Sequence, residues 1–222
     1  MLVSHTKKFI YIKTVKTAGT SVEVALQDFC LPPDVALPSD NTGSETVMSD
    51  HGIVGARGTG VAKAQDWYNH MPASKIKAQL DPAIWEGYTK ICNIRNPWDK
   101  TVSWFHFRNP EVKALPKEEI FAAFAAFMTP DDAADLSVGK DTHIYFIAGK
   151  PVADTYIRYD HMAEDYAKLC ADLDLDAPPI PELKRGPRGK QAIPYQEYYT
   201  PELRDLVGEL FEKEVAAFGW TF

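Results

Sequence analysis

The stretch YIKTVKTAGTSVEVAL, residues 11–26, passes from a β-branched apolar run, through a lysine and small hydroxyl residues, into helical periodicity. Its upstream half, within KFIYIK (8–13), reads as a buried strand. Downstream, Val22, Ala25, Leu26 and Phe29 recur at the spacing of one helix face, so a helix runs from about Gly19 to Phe29. The turn between them carries Lys16, Thr17, Ala18, Gly19, Thr20 and Ser21. A cation, hydroxyls and free amides at the start of a helix suit an anion. The order is not that of a P-loop, in which several glycines precede the Lys-Ser/Thr pair that opens the helix. Here the lysine comes first and one glycine follows it.

The same rhythm recurs along the chain. YTKICNIR (88–95) leads into NPWDKTVSWFHF, where Asn96 caps a helix and Pro97 takes its first position. DTYIRY (154–159) leads into a helix capped by Asp160 that buries Met162, Tyr166, Leu169, Cys170 and Leu173. The last helix opens at Thr200 and Pro201, carries Leu203, Leu206, Val207, Leu210 and Phe211 on one stripe, and stops near Gly219. Strands alternating with helices predict an α/β fold, a central mostly parallel sheet flanked by helices, formed by residues 1–222 as a single domain. Three segments break the pattern. Residues 31–66, rich in Pro, Gly, Ser and Asp, read as an irregular insertion that could shape a cleft for an acceptor. EEIFAAFAAFM (118–128) is a helix whose Phe121, Phe124 and Phe127 face a core. Residues 176–194 form a proline-rich loop with Lys184, Arg185, Arg188 and Lys190 close together.

Composition narrows the function classes. A chain of 222 residues, 45% hydrophobic, can bury a substantial core, and its formal charge of −7 argues against a general nucleic-acid or anionic-membrane surface. Any phosphate site must therefore be local. Cys30, Cys92 and Cys170 are widely spaced and lie in apolar contexts, which favours buried thiols over a disulfide framework or a zinc site. No signal-peptide pattern opens the sequence and no run of about 18 apolar residues occurs, so the expected setting is cytoplasmic, without stable membrane insertion.

In open α/β sheets, ligands bind beyond the C-terminal ends of the strands. Lys16 and the following hydroxyls stand at one such end. Arg95 stands at another, and Ser103 follows Asn96 by two turns along the same helix face. Two separate cation-and-hydroxyl sites suit a ligand with two separated anionic groups better than a linear triphosphate.

These motifs resemble those of the sulfotransferases that use adenosine 3′-phosphate 5′-phosphosulfate (PAPS), in particular the carbohydrate-type branch. KTAGTS (16–21) is similar to that family's 5′-phosphosulfate loop, and RNPWDKTVS (95–103) to its 3′-phosphate motif. The likeness continues through YIRYDHM and the C-terminal YYTPELRDLVGELFEKEVAAFGWTF. The resemblance implies a three-layer fold like that of P-loop NTPases, with PAPS as donor and adenosine 3′,5′-bisphosphate as product. It implies a small-molecule or saccharide acceptor and a soluble, bacterial-type member without the membrane anchor of secretory relatives. Residues 16–21 would bind the 5′-phosphosulfate, with Lys16 stabilising the leaving phosphate, while Arg95 and Ser103 would hold the 3′-phosphate. Lys184, Arg185 and Arg188 would close over the cofactor. No metal is required, and no metal-ligand spacing is evident.

Sulfuryl transfer also needs a base. His70, in WYNHMPASKIKAQL, precedes Pro72, which is expected in the first turn of a helix whose dipole would disfavour the imidazolium. The family resemblance likewise places a basic histidine closely before a proline. His51, in the insertion, is the alternative. Two other function classes share parts of the pattern. A kinase-like phosphotransferase would need a Lys-Ser/Thr helix opening and a magnesium carboxylate, and a non-catalytic nucleotide- or glycan-binding protein would need no base.

Overall fold

The computed structural model describes residues 1–37, 45–58, 64–128, 140–176, 179–181 and 193–222. They fall into two compact units, Met1–Ile94 with His143–Leu183, and Arg95–Thr142 with Lys184–Phe222.

The first unit is built on a six-stranded sheet. Its strands are β1 (Leu2–Ser4), β2 (Phe9–Ile12), β3 (Val47–Ser49), β4 (Gly52–Val54), β5 (Thr89–Ile94) and β8 (Thr155–Arg158), in the order β3-β4-β1-β2-β5-β8. Strands β6 (Phe146–Ile147) and β7 (Lys150–Pro151) form a separate pair. All four residues of β2 are buried, as a strand covered on both faces requires. β2 pairs in parallel with β5, Ile12 opposite Cys92, and β5 in parallel with β8. The other three pairings are antiparallel. The parallel character expected of most of the sheet is thus confined to β2, β5 and β8, and the sheet is mixed. The reason is local. Only residues 5–8 separate β1 from β2, enough for a hairpin and too few for a crossover. Within the segment read as irregular, residues 47–54 fold as a second hairpin that extends the same sheet.

Helix α1 (Gly19–Leu26) follows β2 and tightens into a 3₁₀ turn at Gln27–Cys30. Two short helices, α2 (Ala73–Gln79) and α3 (Pro82–Gly87), precede β5. Val22, Ala25 and Leu26 pack with Leu2, Phe9, Tyr11, Ile91 and Ile157 into one apolar core. This is the face that the sequence periodicity marks.

In the second unit, α4 (Pro97–Arg108) and α5 (Lys117–Phe127) are followed by a short α6 (Thr142–Tyr145), which runs on into the first unit. There, beyond β8, lies α7 (Met162–Asp172), and back in the second unit come α8 (Pro201–Leu210) and α9 (Glu212–Phe218). Asn96 caps α4 by accepting from Trp98 N at 3.0 Å, and Thr200 caps α8 through Leu203 N at 3.4 Å. Phe124 is fully buried among Phe105, Tyr198, Val207 and Phe211, with Phe121 and Phe127 packed against that cluster. The last helix is broken at Phe211 and ends at Gly219, whose φ of 65° is the left-handed cap that glycine favours. Asp160 does not cap α7. It lies inside a 3₁₀ turn, Tyr159–His161, and the Arg158 amide is taken instead by Asp165 Oδ2 at 2.8 Å.

Candidate active site

The first unit gathers its candidate residues where β2 ends, and a buried polar network fixes the loop there. Tyr11 Oη, on β2, lies 2.8 Å from Asn93 Oδ1 and 3.0 Å from Gly19 O. Asn93, on β5, donates from Nδ2 to Thr17 O at 3.3 Å. Thr14 Oγ1 donates to Asn93 O at 2.6 Å, and with that proton used, the 2.8 Å contact between Thr14 and Thr17 is donated by Thr17. The Thr17 hydroxyl is therefore committed to the interior. Gly19 is required by close approach, since a Cβ there would lie 2.9 Å from Tyr11 Oη and 3.2 Å from Lys13 Cγ.

The loop is also strained. Lys16 at φ 59° and Ala18 at φ 58° are both left-handed, on either side of Thr17. Each such residue costs on the order of 1 kcal/mol when it is not glycine. Alternating φ signs turn successive N–H groups toward one concave side, the geometry of an anion nest. No side chain caps α1, whose first turn opens from that nest. Thr20 and Lys16 are half-buried and Ser21 is buried.

Beneath the loop is a charge cluster that sequence reasoning missed. Glu23, on α1 and fully buried, accepts from Lys13 Nζ at 2.6 Å on Oε2 and from the Met1 amino group at 2.8 Å on Oε1. Arg57 Nε lies 3.2 Å from Oε2, and Arg57 Nη1 donates to Gln27 Oε1 at 2.8 Å, while Nη2 is buried without a hydrogen-bond partner. Burial alone would raise the Glu23 pKa. The Met1 amino group, Lys13 and Arg57 outweigh it and bring the carboxyl down to about 2. A carboxylate flanked by valines in SVEVAL, inside a helix buried from Ser21 to Leu26, is the one sequence signal that could have found it.

His70 stands beside this cluster. Ala56 and Tyr68 form an isolated parallel bridge, with Ala56 N donating to Trp67 O at 2.9 Å and Asn69 N to Ala56 O at 2.8 Å, so residues 67–70 follow the segment that carries Arg57. Pro72 is the residue before α2 and not part of its first turn, and His70 lies outside the helix at a left-handed φ of 58°. The helix dipole is thus not what holds the ring neutral. Burial lowers the His70 pKa to about 4, and the nearby Lys13 ammonium lowers it further within that shift. His70 Nδ1 lies 3.2 Å from Lys13 O. A carbonyl can only accept, so Nδ1 carries the proton and the Nε2 lone pair is the basic position.

His51 lies elsewhere. It sits in the β3–β4 turn, where His5 N donates to His51 O at 2.8 Å, beside the start of β2. Lys13 is four residues further along that strand direction, roughly 13 Å away. The two candidate bases lie toward opposite ends of the strands, and only His70 shares the end of β2 with residues 16–21.

In the second unit, Arg95 immediately precedes the capping Asn96, is 8% exposed, and donates from Nε to Asp99 Oδ2 at 2.6 Å. Ser103 is buried two turns along α4. This unit has its own buried ionic group. Lys100 pairs with Asp141, and Thr142 Oγ1 donates to Glu214 Oε1 at 2.7 Å. Lys184, Arg185 and Arg188 lie outside the described residues. Among the described residues no group of three or more His, Cys, Asp or Glu is placed to hold a metal ion, and no helix is long and apolar enough to cross a membrane. No protein-family model, curated protein or solved structure matches the chain.

Proposed function

We propose that this protein transfers a sulfuryl group from PAPS to a hydroxyl acceptor, a small molecule or saccharide, on a fold related to that of P-loop NTPases. The observation that carries this reading is the pairing, at one strand end, of a strained lysine-led loop with a neutral imidazole that carries its proton on Nδ1 and its lone pair on Nε2. The loop's amides and the Thr20 and Ser21 hydroxyls would receive the sulfonate and 5′-phosphate oxygens, and Lys16 would meet the charge that develops on the departing phosphate. Arg95 would hold the 3′-phosphate with Ser103. Its Nε donates to Asp99 Oδ2, and the planar guanidinium matches phosphate geometry.

The step balances without a metal. The acceptor oxygen forms a bond to sulfur and the bond from sulfur to the bridging phosphate oxygen breaks. That electron pair stays on the phosphate near Lys16, and the acceptor proton passes to His70 Nε2. In-line transfer rewards positioning and charge stabilisation, which a pinned loop supplies.

The test is consumption of PAPS across a panel of hydroxyl acceptors, with wild type and His70→Ala compared. Acceptor-dependent release of adenosine 3′,5′-bisphosphate, reduced at least tenfold in His70→Ala at unchanged affinity for that product, is the expected result. Release that is equal in both proteins overturns the role of His70, and no release with any acceptor overturns the transfer reading.

A further inference from the structure

We propose that Lys13 and Glu23 are positioning residues for the His70 base. The Lys13 carbonyl fixes which ring nitrogen is free, and the Lys13–Glu23 pair sets the charge that the ring faces. Lys13 does two things at once. Its backbone oxygen meets His70 Nδ1 at 3.2 Å, and its ammonium is held 2.6 Å from Glu23 Oε2, 2% exposed, so it cannot swing into solvent. Glu23 in turn is held from the β4 side by Arg57.

The charges acting on the imidazole come from three elements: Lys13 at the end of β2, the amino group of Met1 at the start of β1, and Glu23 on α1. Lys13 and the Met1 amino group, when protonated, face it against one carboxylate, and burial lowers the pKa of that amino group, so Lys13 is the principal cation. Arg57, whose Nη2 is buried without a partner, adds a further positive charge to the same group through Glu23. A ring in this field resists protonation in the free protein. If the transfer reading holds, on which this part rests, an anionic donor on residues 16–21 offsets the excess. His70 then becomes a stronger base only when the donor is bound. The order of events is built in, with the donor seated first and the proton taken second.

The experiment is an NMR titration of the His70 ring, which needs no turnover. In the wild type, ring ¹⁵N shifts should show the proton on Nδ1. Lys13→Met, which keeps the carbonyl and removes the cation, should raise the His70 midpoint by about one unit or more. Glu23→Gln, which keeps the shape and removes the anion, should lower it. A merely structural pair would alter stability and leave the midpoint in place. Should Lys13→Met not fold, the Glu23→Gln shift and the wild-type tautomer decide the matter. A proton on Nε2, or a midpoint unmoved in Glu23→Gln, overturns the proposal. Adenosine 3′,5′-bisphosphate is then added to the wild type, and a rise in the midpoint is expected. Binding without a rise overturns the donor-first order. Failure of the bisphosphate to bind counts against the transfer reading, while the titrations of the free protein still judge Lys13 and Glu23.

Discussion

Gly19→Ala probes how the loop is held, and the structure gives its magnitude. The added Cβ would sit 2.9 Å from Tyr11 Oη, closer than a Cβ can approach an oxygen without one of them moving. That oxygen is not a loose end. Tyr11 is fully buried, and its hydroxyl is fixed between Asn93 Oδ1 at 2.8 Å and Gly19 O at 3.0 Å. Accommodating the methyl means displacing the hydroxyl. Overpacking costs about 1–3 kcal/mol, and a weakened buried hydrogen bond about 1 more. Alanine recovers up to about 1 kcal/mol at a helical position, leaving a net loss of roughly 1–3 kcal/mol. Tyr11→Phe removes the nearer of the two tight contacts and leaves Lys13 Cγ at 3.2 Å, so Gly19→Ala should cost less in the Tyr11→Phe background, with a coupling of about 1 kcal/mol. The assay is urea unfolding of the four proteins followed by circular dichroism at a common m-value. Equal cost of Gly19→Ala in both backgrounds would refute the account of how Tyr11 and Asn93 pin the loop.

Further outcomes follow from the same geometry. Ala18→Gly relieves a left-handed alanine at φ 58° and should leave the fold as stable or raise it by up to about 1 kcal/mol, read in the same unfolding assay. Lys16→Ala should lower PAPS turnover by about 10²–10³-fold, and a loss below tenfold in steady-state kinetics would place the lysine outside the charge-stabilising role. Arg95→Ala should chiefly weaken adenosine 3′,5′-bisphosphate binding, measured calorimetrically. Stability should fall with acid in two windows. His70 titrates at about 4 when folded against 6.5 when unfolded, so the unfolded chain takes the proton first, and about 3 kcal/mol is lost as the pH falls from 6.5 to 4. Glu23, at about 2 against 4.5, withdraws a similar amount below pH 4.5 as it protonates. Urea midpoints across pH should show the upper window vanish in His70→Gln.

The legible part of the fold was the part written in local periodicity. KFIYIK, YTKICNIR and DTYIRY contain β2, β5 and β8, and the Asn96 and Thr200 caps fall where side-chain chemistry requires them. The antiparallel half of the sheet was not legible, because β1, β3 and β4 are three residues each, too short for a periodic signal. Lys16, Gly19 and His70 were visible as residue types at a strand-to-helix junction or before a proline. Their supports, Tyr11, Asn93, Glu23 and Arg57, act across the sheet between segments far apart in sequence, and no local pattern carries such a pairing. His70 was picked out for its place near a helix start. Burial and Lys13 keep its ring neutral instead, and both depend on tertiary contacts.

Calorimetric titration of the protein with adenosine 3′,5′-bisphosphate, against ATP with magnesium, bears most directly on the proposal that the chain takes a doubly phosphorylated nucleotide. Tighter binding of the bisphosphate, weakened at least tenfold by Lys16→Ala and by Arg95→Ala separately, is the predicted result. Tighter binding of ATP with magnesium, or bisphosphate binding indifferent to both substitutions, would contradict it.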